Sequence, residues 1–436
     1  WSRRCAGLSW IIGSWSSSGV QFAVNRAEAS DYGSGYSQDS VALPGGNTMF
    51  VWYGNENGTW GTWVGLFDSA GQPVGQPQQI NANGDQVQLA SYANGVVATW
   101  FEYDSGLAEY LLKAQLLAND GTPNGTPTVL AQEVSYTSYW SVASTTDGGI
   151  SASWTVPWNG SNYPAHVVHL DSSGNAGAVV TVSGQNNSAP PLLPDGSFLV
   201  FGEAVISSEW HMTVQRYNAA GTPIGGVIDL AVGSNWPYSP TATTLDNGNV
   251  VIGWGTWNGS NQDAYVRLFD SAWNPLSAGG TVHAAASFSQ ENLELASLPG
   301  GRFVAVWRSD ATTQGDIYAR LFDAAGNPAG DEFIVNASTT GSQTNPDVSA
   351  HADGSFVVSW ADNSDSRIYQ AQFDADAKRV GGLEITGSNT AARSEVLNAS
   401  DALQPVHIVA NAGNDSLVGG AARDKLEGGP GNDTMN

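Results

Sequence analysis

Short apolar runs, alternating stretches and glycine-marked turns recur along the chain, and no stretch sustains a 3.6-residue period, so helix is expected to be scarce. The clearest unit is 298–336, LPGGRFVAVWRSDATTQGDIYARLFDAAGNPAGDEFIVN. After the Gly300-Gly301 turn comes an apolar run, 302–307, then an alternating run, 317–322. Ala325-Gly326-Asn327-Pro328 reads as a second turn, and 332–335 as a last strand. One such unit has two faces to bury and cannot bury both alone.

The unit repeats. An aromatic residue ends the strand after each turn: Trp52, Trp100, Trp154, Phe201, Trp254, Trp307 and Trp360, at intervals of 48, 54, 47, 53, 53 and 53 residues. Each is preceded by a turn closing on Gly46, Gly95, Gly148, Gly196, Gly248, Gly301 or Gly354. A period near 50 with about four short strands per unit predicts an all-β propeller of seven complete four-stranded blades. The ends read as halves of one more blade. VQFAVN at 20–25 matches the fourth-strand sequence EFIVN at 332–336, 5–10 reads as a third strand, and 394–410 resembles the first two strands of the preceding repeat. Pairing two strands from each end predicts an eighth, composite blade that leaves no open edge. Seven blades with an extra N-terminal strand is the alternative.

Composition narrows the partners. The 436 residues carry 15 basic and 40 acidic side chains, a net charge of −25, which disfavours nucleic acid and anionic membranes. Divalent cations and neutral ligands suit such a surface. No apolar run reaches 18 residues, so no membrane-spanning helix is expected. A single cysteine, Cys5, excludes an intrachain disulfide framework, and a monomer is expected. The sequence lacks an initiator Met and a signal-peptide pattern and stops inside a repeat, as a fragment or a processed chain would.

Beyond residue 410 the composition changes, placing a domain boundary between 1–410 and 411–436. NAGNDSLV, GGAARDKLE and GGPGNDTMN set Asp415, Asp424 and Asp433 nine residues apart. Glycine permits tight turns, aspartate and carbonyl oxygens are hard ligands, and the apolar residue makes a short strand. The spacing resembles the G-G-x-G-x-D-x-U-x nonapeptide of RTX proteins, although Ala422 replaces a glycine and the first copy lacks its leading Gly pair. The resemblance implies a parallel β-roll binding Ca²⁺ through Asp415, Asp424 and Asp433 with Gly413 and Gly431, and with Asp415 and Asp433 on one side. The blade sequence also resembles repeats found upstream of RTX tails in secreted bacterial proteins, which implies export by type I secretion.

Familiar catalytic signatures are absent, including H-E-x-x-H, G-x-S-x-G and a phosphate loop. His166 and His169 sit three apart on a strand, on opposite faces, and do not make a metal pair. Aligning the blades on their turn glycines gives a more informative row. Seven residues before each glycine stand Asp39, Gln88, Ser141, Ala189, Thr241, Glu294 and Asp347, and the C-terminal half-blade contributes Glu395. Around an eight-blade ring Glu294, Asp347, Glu395 and Asp39 would be neighbours lining one arc of the channel. Adjacent carboxylates in a confined channel bind a cation or raise one another's pKa. Loops expected on the same face carry Trp60, Trp158, Trp257, Tyr139, Trp236 and Tyr238 among Asn, Gln and Ser, a composition suited to stacking on sugar rings.

Three functions remain open at this point. One is a calcium-binding propeller that recognises an extracellular glycan or other neutral ligand through the aromatic face. Another is a glycoside hydrolase, a polysaccharide lyase or a metal-assisted hydrolase of esters or phosphoesters using the acid arc. The last is a structural adhesin or surface-layer module, since propellers host all three.

Overall fold

A computed structural model of the chain describes residues 22–24, 38–56, 59–71, 73–134, 140–156, 163–184, 189–206, 209–230, 236–257, 259–284, 288–312, 314–336, 339, 341–363, 367–380 and 383–386. In the tail it describes 396–398, 406–409, 414, 416–418, 425–427, 432 and 434–435. All the regular elements among them are β-strands.

Seven antiparallel sheets follow one another in sequence order, each a blade. Blade one is built from Gln38–Ala42, Thr48–Glu56, Thr59–Phe67 and Gln78–Asn81. Blade six repeats the plan with Gln290–Leu298, Arg302–Ser309, Asp316–Phe322 and Phe333–Ile334. Blade four departs from it and has a three-stranded ladder. Its inner segment holds Pro190 and Pro191, which have no N–H to give, and it meets the next strand through the bridge Leu192↔Phe198 and the bonds from Leu199 N to Pro191 O and from Leu193 N to Ser197 O rather than a full ladder.

The recurring sequence marks have plain structural causes. Gly148 (φ 81), Gly196 (φ 78), Gly248 (φ 82) and Gly354 (φ 88) close the first hairpin of their blades in left-handed conformations that a Cβ would strain. In the second turn the leading Asp accepts backbone N–H groups two and four residues on, as Asp323 does from Ala325 and Asn327. The landmark tryptophans are buried between neighbouring blades, and Trp254, Trp307 and Trp360 stack on Tyr265, Tyr318 and Tyr369 of the adjoining strand. In blade three His166 takes the tyrosine's place against Trp154, while His169 pairs with Asp147, so the two histidines serve separate ends of the strand. Seven apolar clusters each join two adjacent blades.

The ring closes with seven blades. Blade seven is made of Gln343–Ala350, Phe356–Asp362 and Arg367–Phe373, and the N-terminal strand Phe22–Ala23 pairs antiparallel with the last of these. Val24 is buried with Phe50, Trp52 and Phe67 of blade one and Val357 and Ile368 of blade seven. The expected eighth, composite blade is therefore corrected: of the 20–25 segment, the described residues 22–24 do act as a fourth strand, but they complete blade seven. The C-terminal half of that blade is something else. Leu383–Thr386, Val406–Val409 and Lys425–Glu427 form one parallel ladder, and Val396–Asn398, Ser416–Val418 and Thr434–Met435 another. These ladders begin upstream of residue 411, where the sequence placed the start of the tail. A short alternating strand reads alike in parallel and antiparallel pairing, which is why 394–410 passed for two blade strands. The proposed strand at 5–10 lies outside the described residues.

Candidate functional site

The inner strands of blades one, six and seven bring Asp39, Glu294 and Asp347 together at the channel. In blades six and seven the register slips just before the acid, between Glu291 and Glu294 and between Thr344 and Asp347. Asn292 (φ 52) and Asn345 (φ 50) sit in left-handed conformations within these bulges. Blades two and five carry the same device at Gln86 (φ 49) and Ser239 (φ 45), two residues before Gln88 and Thr241. Asparagine tolerates this conformation well and signals it in two of the four cases; the sequence reading passed over it.

Asp39, Glu294 and Asp347 are each half-buried. Asp39 accepts from Leu89 N at 2.6 Å in blade two and from Ser40 N at 2.7 Å. Ser40 Oγ donates to Asp347 Oδ2 at 2.6 Å and lies 3.0 Å from Ser349 Oγ, across the closing seam. Burial pushes Asp39 well above the usual carboxylate range, and the charge of Asp347 and, less, of Glu294 adds to it; the N–H groups of Leu89 and Ser40 pull back. Burial raises Asp347 to about 6 against the opposing Ser40 hydroxyl and Val348 N–H. Glu294 rises to about 8, through burial first and the Asp347 charge second. At neutral pH the trio thus offers a carboxylic acid beside a carboxylate. Among the described residues no three His, Cys, Asp or Glu side chains are arranged to hold a metal ion, and these acids act on each other.

Glu395 lies outside the described residues; in sequence it directly precedes Val396–Asn398, a strand of the tail ladder. Of the aromatic candidates, Trp60 and Trp257 are 41% and 42% exposed, flanking the hairpins between second and third strands of blades one and five. Trp257 pairs with Trp236 at the start of its blade's inner strand, so these hairpins share a face with the channel acids. Tyr238 is instead half-buried over Gly255, where an added Cβ would meet its ring at 2.6 Å, and burial raises its phenol. Trp158 and Tyr139 lie outside the described residues, as does the side chain of Trp236. Sequence reading missed Trp210, 41% exposed, and Tyr103, 51% exposed, which flank the same hairpin in blades four and two. Their hairpin position, shared with Trp257, was the available signal.

In the tail, Ser416 pairs with Thr434 and His407 with Lys425, an offset of 18 residues, or two nonapeptides per coil. Asn432 N donates to Asn414 Oδ1 at 2.9 Å, stacking two turns of equal register. Asp415, Asp424, Asp433, Gly413 and Gly431 lie outside the described residues. The stacking of Asn414 under Asn432 and of Ser416 beside Thr434 repeats every 18 residues, the two-nonapeptide coil that the calcium-binding repeat sequence implies.

Among solved structures, hydrazine synthase from Kuenenia stuttgartiensis aligns with 82% of this chain and 100% of its own at 11% identity and a TM-score of 0.51. The β-propeller domain of the Trilobed protease from Pyrococcus furiosus aligns at 8% identity over 80% and 96%, TM-score 0.49. Polysaccharide lyase Uly1 aligns at 11% identity over 81% and 92%, TM-score 0.46. Identities this low concern the fold and no activity. No curated protein matches the chain. Residues 407–436 match the family described as RTX calcium-binding nonapeptide repeat (4 copies). No helix among the described residues is long and apolar enough to cross a membrane. The chain is therefore a seven-bladed β-propeller that runs into RTX calcium-binding nonapeptide repeats at its C-terminal end.

Proposed function

We propose that this is a secreted, calcium-binding propeller, acting as a monomer, that recognises neutral extracellular carbohydrate through the rim of the face bearing the channel acids. The RTX repeats support export by type I secretion. The observation that carries the reading is the set of exposed indoles, Trp60, Trp210 and Trp257, each beside the same hairpin of a different blade. Large rings left in water beside the same hairpin, two on its third strand and one on its second, suit the apolar faces of successive sugars. A net charge of −25 turns such a surface away from anionic polymers.

Retention on immobilised neutral polysaccharides tests it. Trp60→Ala and Trp257→Ala should each weaken binding about tenfold, corresponding to roughly 1.4 kcal/mol per stacked ring. Full retention by the double variant overturns the reading. A second reading has its own support: Glu294, held near pH 8, and Asp347, near 6, form an acid and base pair for glycoside hydrolysis or polysaccharide elimination. It requires cleavage of the retained polymer, lost in Glu294→Gln.

A further inference from the structure

The outer edge of blade seven is claimed by two segments of this chain. In blade six the outer strand pairs Phe333 with Ala319 and Ile334 with Tyr318, and Val335 N donates to Ile317 O at 2.7 Å. In blade seven the same places are taken from the N-terminus: Phe22 pairs with Gln370, Ala23 with Tyr369, and Val24 N donates to Ile368 O at 2.8 Å. Partner positions differ by 51 residues throughout.

The chain leaving blade seven follows the blade-six path for most of the way. The bridge Phe322↔Pro328 and the bond from Ala329 N to Leu321 O recur as Phe373↔Arg379 and Gln372↔Val380. Carried on by the same offset, Leu383–Thr386 would fall on the places of 332–335, the outer strand. It departs instead and pairs parallel with Val406–Val409, as the outermost strand of the tail ladder. The edge it leaves is the one that Phe22–Val24 fills.

The two claimants differ in fit and in tether. The buried place of Val335 is filled by Val24, 1% exposed, and would receive Thr386 from the competing segment. Leu383 stands three residues beyond Val380, so its segment reaches the edge at a far higher effective concentration than the distant N-terminus. What holds it away is the ladder through Val406–Val409 to Lys425–Glu427, within the calcium-binding repeats. The turns that follow Val406–Val409 and Lys425–Glu427 are joined by the bond from Asn432 N to Asn414 Oδ1 at 2.9 Å, within the matched calcium-binding repeats, and loss of the cations such repeats bind loosens the ladder.

We infer that calcium in the tail decides which segment completes blade seven: Phe22–Val24 when the tail is folded, and Leu383–Thr386 when it is stripped. The inference rests on the calcium-binding repeats and stands apart from the carbohydrate reading.

Hydrogen exchange of the full chain, followed by mass spectrometry with calcium and with a chelator, tests it. With calcium, 22–24 and 383–386 should both exchange slowly. On chelation 406–409 and 425–427 should lose protection and 22–24 should exchange faster by about tenfold or more, while 383–386 stays protected. Loss of protection at 383–386, or unchanged protection at 22–24, overturns the inference. In an Ile385→Pro variant, unable to pair as a strand, 22–24 should remain protected in the chelator; exposure of 22–24 there also overturns it.

Discussion

Two arcs of one ring occupy equivalent places and differ in chemistry. Blades six, seven and one present Glu294, Asp347 and Asp39 to the channel, while blades two to five present Gln88, Ser141, Ala189 and Thr241. The backbone does not explain the difference, because the bulge that precedes Glu294 and Asp347 also precedes Gln88 and Thr241. Repetition therefore builds the positions, and departures from repetition fill them. The acid arc also straddles the seam where the ring closes. There Ser40 reaches Asp347, and Gln38 Nε2 donates to Asn345 O at 2.5 Å. On the neutral arc the matching contacts are uncharged, such as Gln88 Nε2 to Trp140 O at 3.0 Å.

If the carboxyls are part of the seam, the largest effect should come from Asp39→Ala. It leaves the N–H groups of Leu89 and Ser40 without their acceptor. A loss of about 1–3 kcal/mol is expected in denaturant midpoints at pH 5. An unchanged midpoint would show the acid arc to be mechanically idle.

Next in size is a pH dependence. Glu294 has an ordinary value of 4.5 and is raised to about 8 when folded, so the native state binds its proton more tightly than the unfolded chain does. The stability this gives is complete below about 4.5 and is lost as pH rises through 8. The thermal midpoint should fall between pH 5 and 8, and fall less in Glu294→Gln. Equal slopes in the two proteins would remove Glu294 as the cause. The exposed turn acids do not disturb this window, since Asp147, Asp171 and Asp270 are held low by hydrogen bonds and titrate at more acid pH.

Counting back seven residues from the turn glycines located Asp39, Glu294 and Asp347 in sequence, because inner strand and turn keep their spacing from blade to blade. The counting that gave Glu395 was carried into 394–410, where the described strands Val396–Asn398 and Val406–Val409 pair parallel, and Glu395 itself lies outside the described residues. The hydrogen bonds from Leu89 N and Ser40 Oγ to the acids were illegible, since they cross between blades. Tyr238 illustrates a further limit: composition marked it as a rim aromatic, but whether it faces water was decided by Gly255 on the neighbouring strand, which leaves room for the ring.

The smallest effect is expected from Ser141→Ala, and it tests the comparison from the other side. Ser141 lies in Trp140–Ser144, pairs with Ser153 through the backbone ladder and is half-buried at the channel. Alanine keeps that ladder, adds no volume and leaves no charge behind, so stability should stay within about 0.5 kcal/mol of the parent. Its pH profile should overlay the parent's, because Glu294 is untouched. A loss as large as that of Asp39→Ala would mean that the channel position itself, whatever residue fills it, carries the ring. The acids would then be one way of filling it rather than a centre of their own.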